Sequence, residues 1–368
     1  MSFDILLTTE SEIKIDAVKT WFSKKFGKTV NIKGVNCDGC KLPKQPIIDE
    51  LHDLGHSYHF AKERMNFVRR KENFNNYDYV ISIENAIDSN HGVNDKCFVL
   101  MYSKGIFGHG ESIGIPFDIK YFTELEKDYK MVEYSNRIYG YDCTIGEIIN
   151  KHDDSIDPKN WMEKICGVDR RDQIRNAMDK AYIKLCKYND QKNQLLAAYK
   201  SYNNFPKEGV LFHDIWELFK DPDMLRLVIK FIVNQYRYDN IKYVVGLESR
   251  GFCLGIAVAL KLKKVGFKSV RKVGKEKKLP GEVIEVSYTK EYGTDVFQMQ
   301  LNASERGSNV LIIDDLIATG GSMQAAIDLS IKAEFNIVDC CVLRNVPELQ
   351  GECNKTMKAP YTVLLQKN

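Results

Sequence analysis

The chain predicts an α/β protein in two domains, and three observations carry that reading. Its 368 residues exceed what a single core of ordinary size requires. Strand-like apolar runs alternate with helical patterns in both halves. In the second half, Val310-Leu311-Ile312-Ile313 is followed by Asp314-Asp315, by the small-residue turn Ala318-Thr319-Gly320-Gly321-Ser322, and by an apolar-periodic helix from about Met323. An unbroken apolar run of this kind suits a parallel strand buried on both faces. An apolar fraction of 44% with a charged fraction of 28% fits a soluble globular protein.

From the start of the chain, Phe3–Thr9 reads as a strand. Glu10-Ser11-Glu12 then leads into a helix with Ile13, Ala17, Val18, Trp21 and Phe22 on one broad apolar face and Ser11 as its N-cap. Tyr79–Asp88 reads as a strand carrying Glu84. Tyr141–Glu147 precedes Asp157-Pro158 and the segment Gly167–Ile174. Thr8-Thr9, at a strand end before a helix, is a place for phosphate, and Glu84 with Asp88 or Asp142 is a candidate Mg²⁺ ligand for phosphoanhydride hydrolysis. Ordinary strand acids and helix-initiating hydroxyls account for the same residues.

The polar, lysine-rich stretch from Cys186 gives way to a short helical pattern at Leu195–Tyr199, so the domain boundary is placed near residue 189, between domains 1–188 and 189–368. Tyr243-Val244-Val245-Gly246 is the next strand, and Leu247-Glu248-Ser249-Arg250-Gly251 the loop after it. The helix beyond carries Phe252, Ile256, Leu260 and Leu262 on or near one face. Glycines let the backbone approach a ligand closely, and Arg250 offers a forked donor. Residues 274–295 are polar, with Lys275, Lys277 and Lys278 before Leu279-Pro280-Gly281, and then Ser287-Tyr288-Thr289-Lys290-Glu291-Tyr292-Gly293. A loop this long is usually functional or disordered. Its lysines suit pyrophosphate and Glu291 suits a base, while a solvated β-hairpin explains the composition equally well. At 310–323, the turn Ala318–Ser322 offers backbone N–H groups at a helix N-terminus to a phosphate dianion. Asp314 and Asp315, just before it, can accept hydrogen bonds from ribose hydroxyls. Phosphate at one end and a diol at the other describe a ribose 5-phosphate cradle.

This last stretch resembles the phosphoribosyl-pyrophosphate (PRPP) loop of type I phosphoribosyltransferases. From about Phe205 onward the chain resembles the adenine phosphoribosyltransferase family. The matching pieces are Phe205–Ile215, Gly246–Phe252, Arg271-Lys272, Lys278–Gly281, Ser287-Tyr288 with Glu291-Tyr292-Gly293, and the PRPP loop itself. The resemblance implies a type I phosphoribosyltransferase fold, a parallel sheet flanked by helices, that converts adenine and PRPP to AMP and pyrophosphate with Mg²⁺. It implies a 5-phosphate on Ala318, Thr319, Gly320, Gly321 and Ser322, and ribose hydroxyls on Asp314 and Asp315. Arg250, Arg271, Lys272, Lys278 and Tyr292 would serve the rest of PRPP, with Arg250 and the basic loop neutralising the leaving pyrophosphate. Glu291 would hold or exchange the proton at adenine N7, making Glu291 and Arg250 the candidate catalytic residues. Phe212 and Leu316 would sandwich the purine, the Leu211 backbone would read its amino edge, and closure of 274–295 would exclude water. The family usually dimerises through this domain. His213 stands where many members have Arg, and the basic loop is a few residues longer than usual between Lys272 and Leu279.

The first half resembles the inosine/xanthosine triphosphatase family, an inosine-triphosphatase-like α/β fold. The matches are Thr8-Thr9 with Lys14 and Ala17-Val18, Gln45-Pro46, Ile83–Ile87, Thr144–Glu147, and Gly167 with Arg170-Arg171. Active members usually carry Asn after the Thr pair, where this chain has Glu10, and the segment Leu51–His59 retains only the glycine of the family pattern. A carboxylate at Glu10 would repel a triphosphate. With these departures the resemblance implies a degenerate domain of this fold that binds a nucleotide or a partner, or mediates assembly, with hydrolysis of ITP or XTP as the alternative and Glu84 as metal-ligand candidate.

Several function classes are disfavoured. A net charge of +3 gives no case for nucleic-acid or membrane binding. Neither a signal peptide nor a bilayer-length apolar run is expected. The ten cysteines are scattered, which points to a reducing cytoplasm. Cys37-Asp38-Gly39-Cys40 is a lone pair without the companions of a zinc site, and the chain carries no P-loop signature. The alternative to a transferase is a PRPP- or nucleotide-binding regulator, or an enzyme with both activities.

Overall fold

A computed structural model of the chain describes residues 2–48, 55–90, 92–135, 138–204, 208–209, 211–273, 279–290 and 293–366. It divides into two compact units, Met1–Asn189 and Asp190–Asn368.

In the first unit, β1 (Phe3–Leu7), α1 (Glu12–Phe26) and β2 (Val30–Gly34) form a parallel βαβ step. The face of α1 formed by Ala17, Val18, Trp21 and Phe22 is buried, and the helix stops at Gly27, whose left-handed φ of 62° lets its N–H return to Ser23 O. Ser11 occupies the N-cap position without a side-chain capping bond, and its own N–H donates to Thr9 Oγ1 at 3.2 Å. The unit continues with β3 (Gln45–Ile48), α2 (Gly55–Arg69), β4 (Tyr79–Asp88), β5 (Asn94–Ser103), β6 (Ile106–Glu111), β7 (Ile115–Pro116), α3 (Ile119–Asp128), β8 (Met131–Ser135), β9 (Ile138–Tyr141), α4 (Ile145–His152), α5 (Trp161–Cys166) and α6 (Arg170–Ala198). The strands lie in the order β2-β1-β4-β3-β9-β8, with β5 antiparallel on β4 and itself flanked by β6 and β7. The polar stretch from Cys186 belongs to α6, which runs unbroken across the boundary between the units.

The second unit opens with an antiparallel pair, β10 (Lys200–Asn203) and β11 (Leu211–Asp214), in which Tyr202 faces Phe212. There follow α7 (Trp216–Lys220), α8 (Pro222–Tyr236), β12 (Tyr243–Leu247), α9 (Arg250–Lys261), β13 (Gly266–Val273), β14 (Val283–Lys290), β15 (Gly293–Gln300), β16 (Asn309–Ile317), α10 (Gly321–Lys332), β17 (Asn336–Asn345), α11 (Gln350–Thr356) and β18 (Thr362–Val363). The sheet order is β14-β15-β13-β12-β16-β17-β18. Strands β13, β12, β16, β17 and β18 run parallel, while β14 and β15 form an antiparallel hairpin on β13. Val310, Leu311, Ile312 and Ile313 are fully buried, as a strand covered on both faces demands. The chain passes from β12 through α9 to β13 on one side, and after the hairpin returns to β16 on the other side of β12. Ligands bind at such switch points, beyond the carboxyl ends of the strands.

Two sequence expectations are corrected here. Strand β16 does not stop at the acid pair but continues through it to Ile317, and α10 begins at Gly321 rather than Met323. The buried face of α9 is Gly251, Leu254, Gly255, Val258 and Ala259, whereas Ile256 and Leu260 are exposed. Of the two readings left open for 274–295, the described residues from Val283 onward follow the hairpin. Among the described residues, no helix is long and apolar enough to cross a membrane.

Candidate active site

The site forms where β12 and β16 end side by side and hand the chain to α9 and α10. Helix α9 can lie against β16 because residue 251 has no side chain. A Cβ there would sit 2.7 Å from Ile313 O and 3.2 Å from Asp314 Oδ1. That approach brings Arg250, the first residue of α9, to the acid pair. Its Nη1 donates to Asp315 Oδ2 at 2.8 Å, and its Cζ stands 5.7 Å from the centre of the Phe212 ring. The Glu248–Ser249 peptide just before it is cis.

The two carboxylates have different surroundings. Asp315 is 7% exposed and paired with Arg250. Asp314 Oδ1 accepts the Asp315 backbone N–H at 2.9 Å. Burial first, and the neighbouring Asp315 charge second, push the Asp314 carboxyl well above its ordinary range. The pair is thus a concentration of negative charge in a dry place, which favours a cation or hydroxyl donors.

Beyond Ile317 the turn Ala318–Gly320 leads into α10. Gly320 is its N-cap, with a φ of 85° that an L side chain rarely adopts. The N-terminal N–H groups of α10 therefore open onto the end of the sheet, the usual arrangement for phosphate. Ser322 Oγ lies 3.1 Å from Tyr288 Oη, which also donates to Asp295 Oδ2 at 3.1 Å. Lys272 reaches the same Asp295 at 2.9 Å, while its backbone N–H donates to Glu248 Oε2 at 2.8 Å and Arg271 Nε approaches that oxygen at 3.2 Å. Tyr288, Asp295 and Glu248 thus tie the hairpin and the end of β13 to the two turns. The sequence argument gave none of them a role; only the apposition of distant strands reveals one.

The structure brings together Arg250, Asp314, Asp315 and Phe212, and separately Ser322, Lys272 and Arg271 with the hairpin. Leu211 is on β11 opposite Asn203, and Leu316 is on β16 opposite Arg344. Glu291, Tyr292, Lys278, Phe205–Lys207 and Val210 lie outside the described residues, as does the side chain of His213.

In the first unit, Glu84 is buried and ion-paired with Arg64. Thr8 Oγ1 donates to Ser82 Oγ at 2.9 Å. Lys14 Nζ donates to Ile83 O at 2.7 Å, and burial draws its pKa down to about 8. Arg170 donates to Asn85, whose amide donates to Asp95 Oδ1 at 2.7 Å. Asp88 pairs with Lys96, and Asp142 is exposed. Glu84, Asp88 and Asp142 therefore do not converge: among the described residues, no group of three or more His, Cys, Asp or Glu side chains is placed to hold a metal ion.

A family model described as a phosphoribosyl transferase domain matches residues 215–360. The chain is 42% identical over 176 residues to the adenine phosphoribosyltransferase of Kluyveromyces lactis, covering 47% of this chain and 91% of the relative. It is 45% identical over 148 residues to that of Nitrosomonas europaea, covering 40% and 83%. A crystal structure of the Saccharomyces cerevisiae enzyme, complexed with an imino-altritol bisphosphate and adenine, is 40% identical with a TM-score of 0.44, covering 48% of this chain and 99% of that one.

Proposed function

The chain belongs to the adenine phosphoribosyltransferase family, and we propose on that premise that its second unit transfers the phosphoribosyl group of PRPP to adenine, giving AMP and pyrophosphate. The observation that carries the reading is the acid pair Asp314-Asp315 at the end of β16, bonded to Arg250 and followed by the N-terminus of α10. In the reaction the bond from C1′ to pyrophosphate breaks and the bond from adenine N9 to C1′ forms. The turn Ala318–Ser322 would hold the 5-phosphate, and Asp314 with Asp315 the ribose hydroxyls. Arg250, Arg271, Lys272 and Lys278 would hold the pyrophosphate, with Tyr292 beside them. Phe212 and Leu316 would flank the purine, the Leu211 backbone would meet its amino edge, and Glu291 would hold the N7 proton. Fixed charges and positioning supply most of the catalysis in such a site.

Mg²⁺ belongs to this proposal. Two adjacent carboxylates, one pushed strongly toward its neutral form, fit a cation that takes its remaining ligands from substrate and water rather than from a protein cage. Asp314 and Asp315 would hold it through the ribose oxygens or water. When bound, it would neutralise charge on the leaving pyrophosphate.

The test is a base panel: full-length protein, Mg²⁺ and PRPP with adenine, hypoxanthine, guanine, xanthine, orotate or uracil, following nucleotide and pyrophosphate. AMP from adenine alone is expected. PRPP binding without consumption of any base would leave a regulatory protein instead.

For the first unit we propose the inosine-triphosphatase-like fold and a site for a purine nucleoside triphosphate. Its support is the enclosed set of Lys14, Arg64 and Arg170 against Glu84 and Asp95, three cationic groups to two carboxylates. ITP supplied to the full-length protein with Mg²⁺ decides whether hydrolysis accompanies binding; release no greater than in a Glu84→Ala control would remove hydrolysis from the proposal. Homodimerisation through the second unit and residence in the cytoplasm complete the reading. They are supported by an exposed apolar row on α9 and by ten unbridged cysteines, respectively.

A further inference from the structure

Three cations that the PRPP reading assigns to pyrophosphate are each held by a carboxylate of this chain: Arg250 by Asp315, Arg271 by Glu248 and Lys272 by Asp295. Two of these carboxylates have other work. Asp315 is the proposed acceptor for ribose hydroxyls, and Glu248 takes the Lys272 backbone N–H and so fixes the end of β13. For Asp295 the reading supplies no substrate group. A carboxylate beside a polyanion repels it and weakens its binding. Its presence there calls for a role other than holding substrate.

Strand register puts Asp295 in its place. On the hairpin it lies directly opposite Tyr288. Lys272 on β13 lies opposite Phe297, two residues along the same face of β15. That diagonal brings Lys272 Nζ to 2.9 Å from Asp295 Oδ1. The other oxygen, Oδ2, accepts the Tyr288 hydroxyl at 3.1 Å. Tyr288 is itself well fixed. Its ring centre lies 5.2 Å from that of Phe297, a Cβ on Gly321 would stand 3.3 Å from the ring, and its Oη is 3.1 Å from Ser322 Oγ. The carboxylate is therefore held with one oxygen turned to Lys272. Lys272 is pinned at its backbone, but its side chain is 49% exposed on a flexible four-carbon stem, against 19% for Asp295. The amine can change partners while the acceptor stays where it is.

We propose that Asp295 is a positioning residue for the departure of pyrophosphate: it takes Lys272 Nζ back from the leaving group, giving the cation a counter-charge as the product goes. The inference rests on the PRPP reading. A merely structural role for Asp295 predicts weaker binding when its charge is removed. The release role predicts the opposite sign, tighter pyrophosphate.

The test is calorimetric titration of full-length protein with inorganic pyrophosphate and Mg²⁺, with and without AMP, beside steady-state product inhibition by pyrophosphate. The variants are Asp295→Asn, Lys272→Met and the two together. Asp295→Asn keeps an oxygen for Tyr288 and removes only the charge. It is expected to tighten pyrophosphate roughly three- to fivefold, the upper range for a solvent-screened ion pair, with KM for adenine unchanged. On the Lys272→Met background most of that gain should vanish, since the two residues act through each other. Asp295→Ala should act in the same direction as Asp295→Asn, so that failure of one variant to fold leaves the other to decide. Pyrophosphate affinity that is unchanged or weaker without the carboxylate would overturn the inference. So would a gain that persists undiminished without Lys272. Wild type that binds pyrophosphate but turns over no base would defeat the transferase reading alone, because the binding cycle still decides this one. Wild type that binds no pyrophosphate in either state overturns both.

Discussion

Asp315 and Lys14 show how a single side chain's surroundings set what it does. Asp315→Asn leaves a neutral amide opposite Arg250 and, on the proposed reading, removes an acceptor for ribose. We expect KM for PRPP to rise at least about tenfold with KM for adenine little changed, read by steady-state kinetics. Lys14 presents the opposite case: its stem is partly exposed but its amine is enclosed, and burial lowers its pKa from 10.5 to about 8. A base with a depressed folded pKa gains stability as pH rises through the window from about 8 to 10.5, and carries its full cost below that window. Lys14→Met should therefore raise stability at pH 7 by up to roughly 2–3 kcal/mol and flatten the stability rise across that window, measured by denaturant melts at several pH values. The identity of these residues was readable in the chain, but their partners were not. Arg250 and Asp315 lie 65 positions apart, and no local pattern pairs them.

At the scale of elements, legibility followed locality. The β16–turn–α10 segment lies where its sequence put it, because burial, turn chemistry and helix start all act within a few residues of one another. Helix α9 was misread because small residues, not large ones, face the sheet. Gly251 and Gly255 make the close contact, and a Cβ at 255 would meet Phe267 at 2.6 Å, so Ile256 and Leu260 are left outside. That exposed row, with Cys253, recurs at successive turns and is the support for a dimer. Leu260→Asp should convert a dimer to monomer in light scattering after gel filtration; an unchanged mass would remove this face from the interface. The β14–β15 hairpin was one of two readings the sequence left open, because its charged, alternating composition suits a solvated loop as well as an edge ribbon. Through Tyr288 it reaches Ser322, so Tyr288→Phe should raise KM for PRPP a few-fold without lowering thermal stability appreciably.

For the whole molecule, the organising element is α6. Cutting the chain at the boundary between the units leaves the second unit with only residues 190 through 198 of that helix. A helix so short is marginal without its preceding turns. Yet Gln191, Lys192 and Leu195 on it are buried. A fragment spanning 170–368 should therefore melt a few degrees above one spanning 190–368 in calorimetry. The two-domain organisation was legible from length and alternation; the continuity of α6 was not, because the polar stretch from Cys186 carries little apolar periodicity. The bonded pair Arg250 and Asp315 also bears on what the protein accepts from a crowded mixture of phosphates. On the proposed reading, pyrophosphate alone would satisfy the cation but strand the carboxylate, and a ribose phosphate alone would do the reverse. A molecule carrying both groups would compensate both partners at once, so the pair would work as a two-condition lock that screens out half-matching ligands before any chemistry begins.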